Sequence, residues 1–259
     1  MATGVLPILL GNATRAASLM DDSDKEYCAS FQLGQATDTQ DSTGKVIAQS
    51  EKKVSAEELE RALFKFRGHI LQVPPMYSAV QKNGQRLYTL ARQGITVERE
   101  PRPVTIYKLE LLGFEESSQS GELLIYCSKG TYVRTLCSDL GETVGSFGMM
   151  TALRRTRAAG FHLNDAISVQ TLKEADESTL AQFVYPVDRL FSSRPSLKVS
   201  QAQSVRFQNG GALALSRTNL NGRKLSGEEI YRVYGPENSF LGLGRIDAPR
   251  EELRVLKLF

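Results

Sequence analysis

Apolar and polar positions alternate across Lys25–Leu33 (KEYCASFQL), which predicts a strand. Residues 34–44 are polar and dense in turn formers, so a loop is expected there, with a returning strand over residues 45–49. Ser55-Ala56-Glu57-Glu58 has the spacing of a capping box, in which the serine hydroxyl accepts from the third helical amide and the glutamate reaches back. The helix it starts carries Leu59, Leu63 and Phe66 on one face and stops near Gly68. Pro74-Pro75 forces an extended segment, and residues 85–92 predict a short basic helix closed by Gly94. Residues 104–114 and 122–128 read as strands. Residues 131–144 form a helix on the stripe Val133, Leu136, Leu140 and Val144, ended by Gly145. A strand at 149–157 and two short helices follow.

From Tyr185 the texture changes. Short β-rich segments separated by Asn209-Gly210-Gly211, Asn221-Gly222 and Gly235-Pro236 predict a small barrel. The expected division is therefore a domain over residues 1–184 and a second over 185–259. The opening run Val5-Leu6-Pro7-Ile8-Leu9-Leu10 is apolar enough to be interior, but Pro7 and Gly11 break it and no basic region precedes it, which argues against a signal peptide.

Composition adds constraints. Apolar residues make up 41% of the 259 and charged residues 24%, an ordinary balance for a soluble domain. No apolar run reaches the roughly 18 residues of a membrane span. Three scattered cysteines and two histidines argue for reduced thiols and against zinc. The net charge of +3 is unevenly spread: residues 61–110 hold nine Lys or Arg against three acids, a local +6 that leaves −3 for the rest. Tyr77, Tyr88 and Tyr107 lie within that segment, a combination that suits phosphate contact with base stacking.

Four patterns carry the chemistry. They are Asp24-Lys25-Glu26-Tyr27 with Leu33-Gly34-Gln35-Ala36-Thr37-Asp38-Thr39-Gln40-Asp41; Gln72-Val73-Pro74-Pro75-Met76-Tyr77-Ser78-Ala79 with Gly84-Gln85-Arg86-Leu87-Tyr88; Ser128-Lys129-Gly130-Thr131-Tyr132-Val133-Arg134-Thr135; and Leu153-Arg154-Arg155-Thr156. Without their context these residues are unremarkable: Tyr27 is a strand tyrosine, Tyr132 a helix cap, Arg134 a solvated side chain, Asp38 an Asx turn. In this order and spacing, over residues 1 to about 170, they resemble the TruB family of bacterial tRNA pseudouridine-55 synthases. The β-rich tail resembles that family's PUA-like RNA-binding domain.

The resemblance implies an α+β fold, a mixed and mostly antiparallel sheet flanked by helices, plus the small C-terminal β-barrel. It implies an isomerase that flips uridine 55 out of the tRNA TΨC loop and rejoins the base to the sugar through C5, with no cofactor and no metal. It implies that Tyr27 stacks on the flipped base, that Tyr132 packs on the ring and assists loss of the C5 proton, that Arg134 pairs with the catalytic carboxylate, and that Leu153 lines the pocket floor. Asp38 and Lys129 belong to the active-site surround. The basic segment, with Arg86, Arg92, Arg99 and Arg102, grips the T-arm. A cytoplasmic monomer whose partner is the tRNA T-arm, with no membrane contact, is the corresponding expectation.

One part of the pattern is missing. The family's nucleophilic aspartate stands in Gly-His-x-Gly-x-Leu-Asp-Pro, followed by x-Ala-x-Gly-x-Leu-Pro, and Met1-Ala2-Thr3-Gly4-Val5-Leu6-Pro7 matches only the second part. Asp21, Asp22, Asp24 and Asp38 do not match the nucleophile's position. The expectation is a start assigned inside the motif, with a true fragment or a non-catalytic protein as alternatives. An Arg134 without its carboxylate and a sheet lacking its first strand would make the chain unstable. A non-catalytic T-arm-binding or folding protein stays open as the rival function.

Overall fold

The computed structural model describes residues 2–20, 24–223, 225 and 228–259; Met1, Asp21 and Asp22, named above, lie outside the described residues. The chain divides into two compact units, Met1–Pro7 with Ser23–Ala166, and Ile8–Asp22 with Ile167–Phe259.

The first unit is built on strands β1 (Ala2–Gly4), β2 (Lys25–Leu33), β3 (Gln35–Thr37), β4 (Val46–Gln49), β5 (Gly68–Gln72), β6 (Gln81–Lys82), β7 (Gln85–Arg86), β8 (Arg102–Glu115), β9 (Ser120–Cys127), β10 (Gly148–Ala158) and β11 (Phe161–His162), with helices α1 (Ala56–Leu63), α2 (Leu87–Arg92) and α3 (Val133–Thr143). Its main sheet runs β1-β10-β2-β9-β8-β5, with β11 paired to β10. β1 lies parallel to β10, Ala2 opposite Leu153, and the other pairings are antiparallel. This is the mixed, mostly antiparallel sheet expected.

Alternation along β2 buries Ala29, Phe31 and Leu33 against Leu59 and Leu63 of α1 and Leu136 and Leu140 of α3. The capping box at Ser55 is present, with Glu58 N–H donating to the Ser55 hydroxyl at 3.2 Å and Ser55 N–H to the Glu58 carboxylate at 3.1 Å. Cys127 and Cys137 are buried among these apolar groups as free thiols.

Three local expectations are corrected. Residues 85–92 are not one helix: Gln85 and Arg86 pair with Lys82 and Gln81, and the helix begins at Leu87. Asn83 and Gly84, at φ 51° and 79°, form the two-residue turn whose twist suits a hairpin, and the hairpin claims the first two residues. The polar loop 34–44 contains a strand, because β3 finds its partner in β4. The opening run is not interior throughout: Val5 is buried, but Leu6, Ile8 and Leu10 are exposed, since pairing with β10 ends once Val5 N–H reaches the Arg155 carbonyl at 2.8 Å.

The second unit holds helices α4 (Val169–Glu174), α5 (Glu177–Gln182) and α6 (Gln201–Gln208) and strands β12 (Ser196–Lys198), β13 (Leu213–Ala214), β14 (Ile230–Tyr234), β15 (Phe240–Asp247) and β16 (Glu252–Leu258). The strands form a five-stranded half-barrel in the order β12-β14-β15-β16-β13 around Leu197, Phe207, Val233 and Leu253. No helix among the described residues is long and apolar enough to cross a membrane.

Candidate active site

A cleft of about 300 Å³ opens in the first unit where β1, β2 and β10 meet the first turn of α3 and the loop between β3 and β4. The lining brings together Tyr27, Tyr132, Arg134 and Leu153, four residues picked out by the sequence from separate patterns, and adds Asp41.

The β3–β4 loop is shaped by its own short polar side chains. Asp41 Oδ1 accepts from the Thr43 amide at 3.0 Å, which closes an Asx turn, and from the hydroxyls of Thr39 at 2.9 Å and Thr43 at 2.5 Å. The Thr37 hydroxyl donates to the Asp41 carbonyl at 2.7 Å. A Cβ on Gly44 would fall 2.3 Å from Thr39 Oγ1 and 2.4 Å from Asp38 Oδ1, so any side chain there would displace both groups. The loop is laid on β10: Met150 N–H donates to the Gln40 carbonyl at 3.1 Å and Ser42 N–H to the Met150 carbonyl at 2.9 Å. The register of β10 against β2 shifts between Met150 and Ala152, a bulge at the cleft wall.

From the other side, the turn Ser128-Lys129-Gly130-Thr131 is fastened to β8, with Thr105 N–H donating to the Ser128 hydroxyl and Ser128 N–H to the Thr105 carbonyl, both at 2.9 Å. That fixes the start of α3, where Tyr132 is the N-cap. The first turn of the helix places Arg134 over the loop. Its Nη1 meets Asp41 Oδ2 at 3.3 Å and its Nη2 donates to the Tyr77 carbonyl at 2.6 Å. The expectation of an Arg134 stripped of any carboxylate is therefore corrected: Asp41 supplies one, because the Asx turn aims its second oxygen at the helix.

Burial works against ionised Asp41, but the donated bonds from Thr43 and Thr39 and the Arg134 charge outweigh it, and the carboxyl sits below its ordinary range. Burial pushes the Tyr27 phenol above its ordinary value, with a further rise from Cys127, while the charge and hydrogen bond of Arg155 partly offset it. Tyr27 thus presents a neutral ring. Arg155 also anchors β1, its Nε donating to the Val5 carbonyl at 2.6 Å.

The remaining candidates lie elsewhere. Asp38 accepts the Lys45 amide at 2.8 Å and closes the hairpin behind the cleft rather than lining it. Lys129 is exposed on its turn and does not line the cleft. Arg86, Arg92 and Arg102 are exposed outside the cleft, with the guanidinium groups of Arg86 and Arg92 5.9 Å and 5.4 Å from the centre of the Tyr88 ring. Arg99 is partly buried and spends Nη1 on the Pro74 carbonyl at 3.1 Å. Among the described residues, no group of three or more His, Cys, Asp or Glu is placed to hold a metal.

Asp41 stands within one of the four patterns but is not among the site residues the sequence singles out. Its signal is the spacing Thr39-x-Asp41-x-Thr43, two hydroxyls flanking a carboxylate in a turn.

Comparison with known proteins assigns this fold and its cleft to the pseudouridine synthase class. Residues 1–133 match the TruB family pseudouridylate synthase N-terminal domain, 134–192 the tRNA pseudouridylate synthase B C-terminal domain, and 195–254 the pseudouridine synthase II TruB C-terminal region. The tRNA pseudouridine synthase B of Saccharophagus degradans is 40% identical over 252 residues, covering 95% of this chain and 80% of that protein. The protein of that name from Clostridium tetani is 38% identical over 259 residues, covering 100% and 86%. A Cbf5-Nop10-Gar1 complex matches the fold with a TM-score of 0.69 at 20% identity, over 99% of this chain and 73% of the matched one. An H/ACA RNP bound to a substrate RNA containing 2′-deoxyuridine matches at 0.69 and 17% identity, over 100% and 73%. This chain belongs to the TruB family.

Proposed function

We propose that the cleft isomerises uridine 55 of the tRNA TΨC loop to pseudouridine. The single observation that carries this reading is the convergence of Tyr27, Tyr132, Arg134 and Leu153 on one cleft. The reaction breaks the bond from N1 to the sugar C1′, forms one from C5 to C1′, loses the proton on C5 and gains one on N1, so nothing leaves and no electrons are transferred. The base must first be extruded from the T-loop, at a cost of a few kcal/mol. A neutral Tyr27 ring offers a stacking face that costs little to desolvate. Leu153 closes the apolar floor, Tyr132 packs on the ring where the C5 proton departs, and Arg134 presents a positive charge held in place by Asp41 and the Tyr77 carbonyl.

Asp41 is the one carboxylate among the described residues lining the cleft. Its two oxygens are engaged by four bonds, one of them from Arg134, so its role is to position Arg134 rather than to attack C1′. That observation also favours a second reading, in which these 259 residues bind the T-arm without chemistry. In both readings the exposed Arg86 and Arg92 beside the half-buried Tyr88, with Arg102, meet the RNA through charge and stacking. The half-barrel, within residues 185–259, serves as the PUA-like RNA-binding domain. A cytoplasmic monomer completes the proposal.

The deciding experiment is incubation of the chain with a T-arm stem-loop, read for pseudouridine and for binding. Product at position 55 supports the synthase. Salt-dependent binding without product moves the assignment to the second reading, and neither product nor binding overturns both.

A further inference from the structure

Gln72, the last residue of β5, is 2% exposed and faces the start of α3. Its Oε1 accepts from the Tyr132 amide at 2.8 Å, and its Nε2 donates to the Tyr132 carbonyl at 3.1 Å. A primary amide carries a donor and an acceptor at the spacing of a peptide group. Gln72 therefore pairs with the Tyr132 backbone as a neighbouring strand residue would, at an end of the main sheet where, among the described residues, no further strand is bonded to β5. α3 otherwise begins without a side-chain cap, and Tyr132 is extended there, at φ −100° and ψ 104°. Five residues further on, the same segment supplies the Tyr77 carbonyl to Arg134, and Arg99 holds its middle through Pro74. Tyr132, at the N-cap of α3, and Arg134, in its first turn, are thus both braced by residues 72–77.

We propose that Gln72 is a positioning residue for the isomerisation, fixing the backbone of Tyr132 so that its ring meets the flipped base. This rests on the synthase reading above. Leucine matches the bulk of Gln72 without its bonds. Ionised glutamate keeps the acceptor but loses the donor, and protonated glutamate restores both. The three states separate packing from pairing.

The test uses the full chain labelled with 15N-tyrosine, with Tyr132 assigned among the nine tyrosines by its loss in Tyr132→Phe. In Gln72→Leu, hydrogen exchange at the Tyr132 amide is expected to accelerate about tenfold or more, while Leu136 and Leu140, probed by 15N-leucine, keep their rates. On T-arm RNA, turnover is expected to fall between ~10-fold and ~100-fold with KM little changed, as for a misplaced group that acts in the transition state. In Gln72→Glu the Tyr132 amide stays protected at neutral pH, turnover falls, and the ratio of variant to wild-type turnover rises as pH falls and the buried carboxyl takes up its proton. Unchanged exchange at Tyr132 in Gln72→Leu overturns the proposal, as does a turnover ratio for Gln72→Glu that is flat with pH, or a loss confined to KM. Should Gln72→Leu not fold, Gln72→Glu carries the test alone. A wild-type chain that yields no pseudouridine defeats the synthase reading, and the exchange measurement then still decides whether Gln72 fixes Tyr132.

Discussion

The Asp41 carboxylate and the Arg134 guanidinium meet at 3.3 Å across 93 residues of chain, with their side chains 18% and 23% exposed. The pair joins the hairpin loop to the first turn of α3 and so holds two walls of the cleft together.

Replacing Asp41 by Asn keeps the shape and removes the charge. Because its folded pKa lies below the ordinary value of about 3.9, Asp41 stabilises the fold fully above that value. The contribution disappears as pH falls through the depressed folded pKa. Asp41→Asn is therefore expected to lose about 2 kcal/mol at pH 7 and to lack the wild-type decline in the acid range. Urea unfolding of both proteins between pH 2 and pH 7 measures this, and pseudouridine formation should drop along with it.

Asp139, on α3, has the opposite sign. Burial pushes its carboxyl up to about 6, with a further rise from Glu142. Its ionisation opposes folding, so stability is lost as pH climbs from about 4, the unfolded value, through about 6. Asp139→Asn should be the more stable protein at pH 7.5, on the order of 1–2 kcal/mol after solvent screening of a half-buried group, and no different at pH 3. Thermal melts at the two pH values check it.

The exposed arginines should separate from the buried one in RNA binding. Arg86→Ala and Arg92→Ala are each expected to lower the slope of log affinity against log salt by roughly 0.7–0.9 for each phosphate that is no longer neutralised. Arg99→Ala should leave that slope unchanged and instead lower the melting temperature, because its guanidinium supports Pro74. Titrations of labelled T-arm RNA at three salt concentrations tell these apart.

Thiol chemistry follows burial. The Cys127 and Cys137 thiols are pushed by burial up to about 11 and about 12, whereas Cys28 is only half-buried. A chromogenic disulfide at pH 8 should label Cys28 in the native protein and all three thiols in denaturant.

What the sequence disclosed follows the reach of its interactions. β2 was legible residue for residue because a half-buried strand writes its burial into alternation. The capping box was legible because its partners are three residues apart. Tyr27, Tyr132, Arg134 and Leu153 were found through motif context, while periodicity alone left each an ordinary residue. Gln72 and Asp41 stayed hidden because their partners are 60 and 93 residues distant, and nothing local separates a buried glutamine clamp from a surface glutamine. The Asn83-Gly84 hairpin is a local signal, masked by the basic run that follows it.

The pairing of Ala2–Gly4 with Leu153–Arg155 gives the site a history as well as a shape. On a ribosome adding 5–20 residues each second, Tyr27 and Asp41 emerge on the order of ten seconds before Leu153 can meet them. Until β10 is made, the hairpin loop, the α3 turn and β1 have no common wall. The cleft is thus among the last parts of the first unit to come into being, since one of its walls is β10.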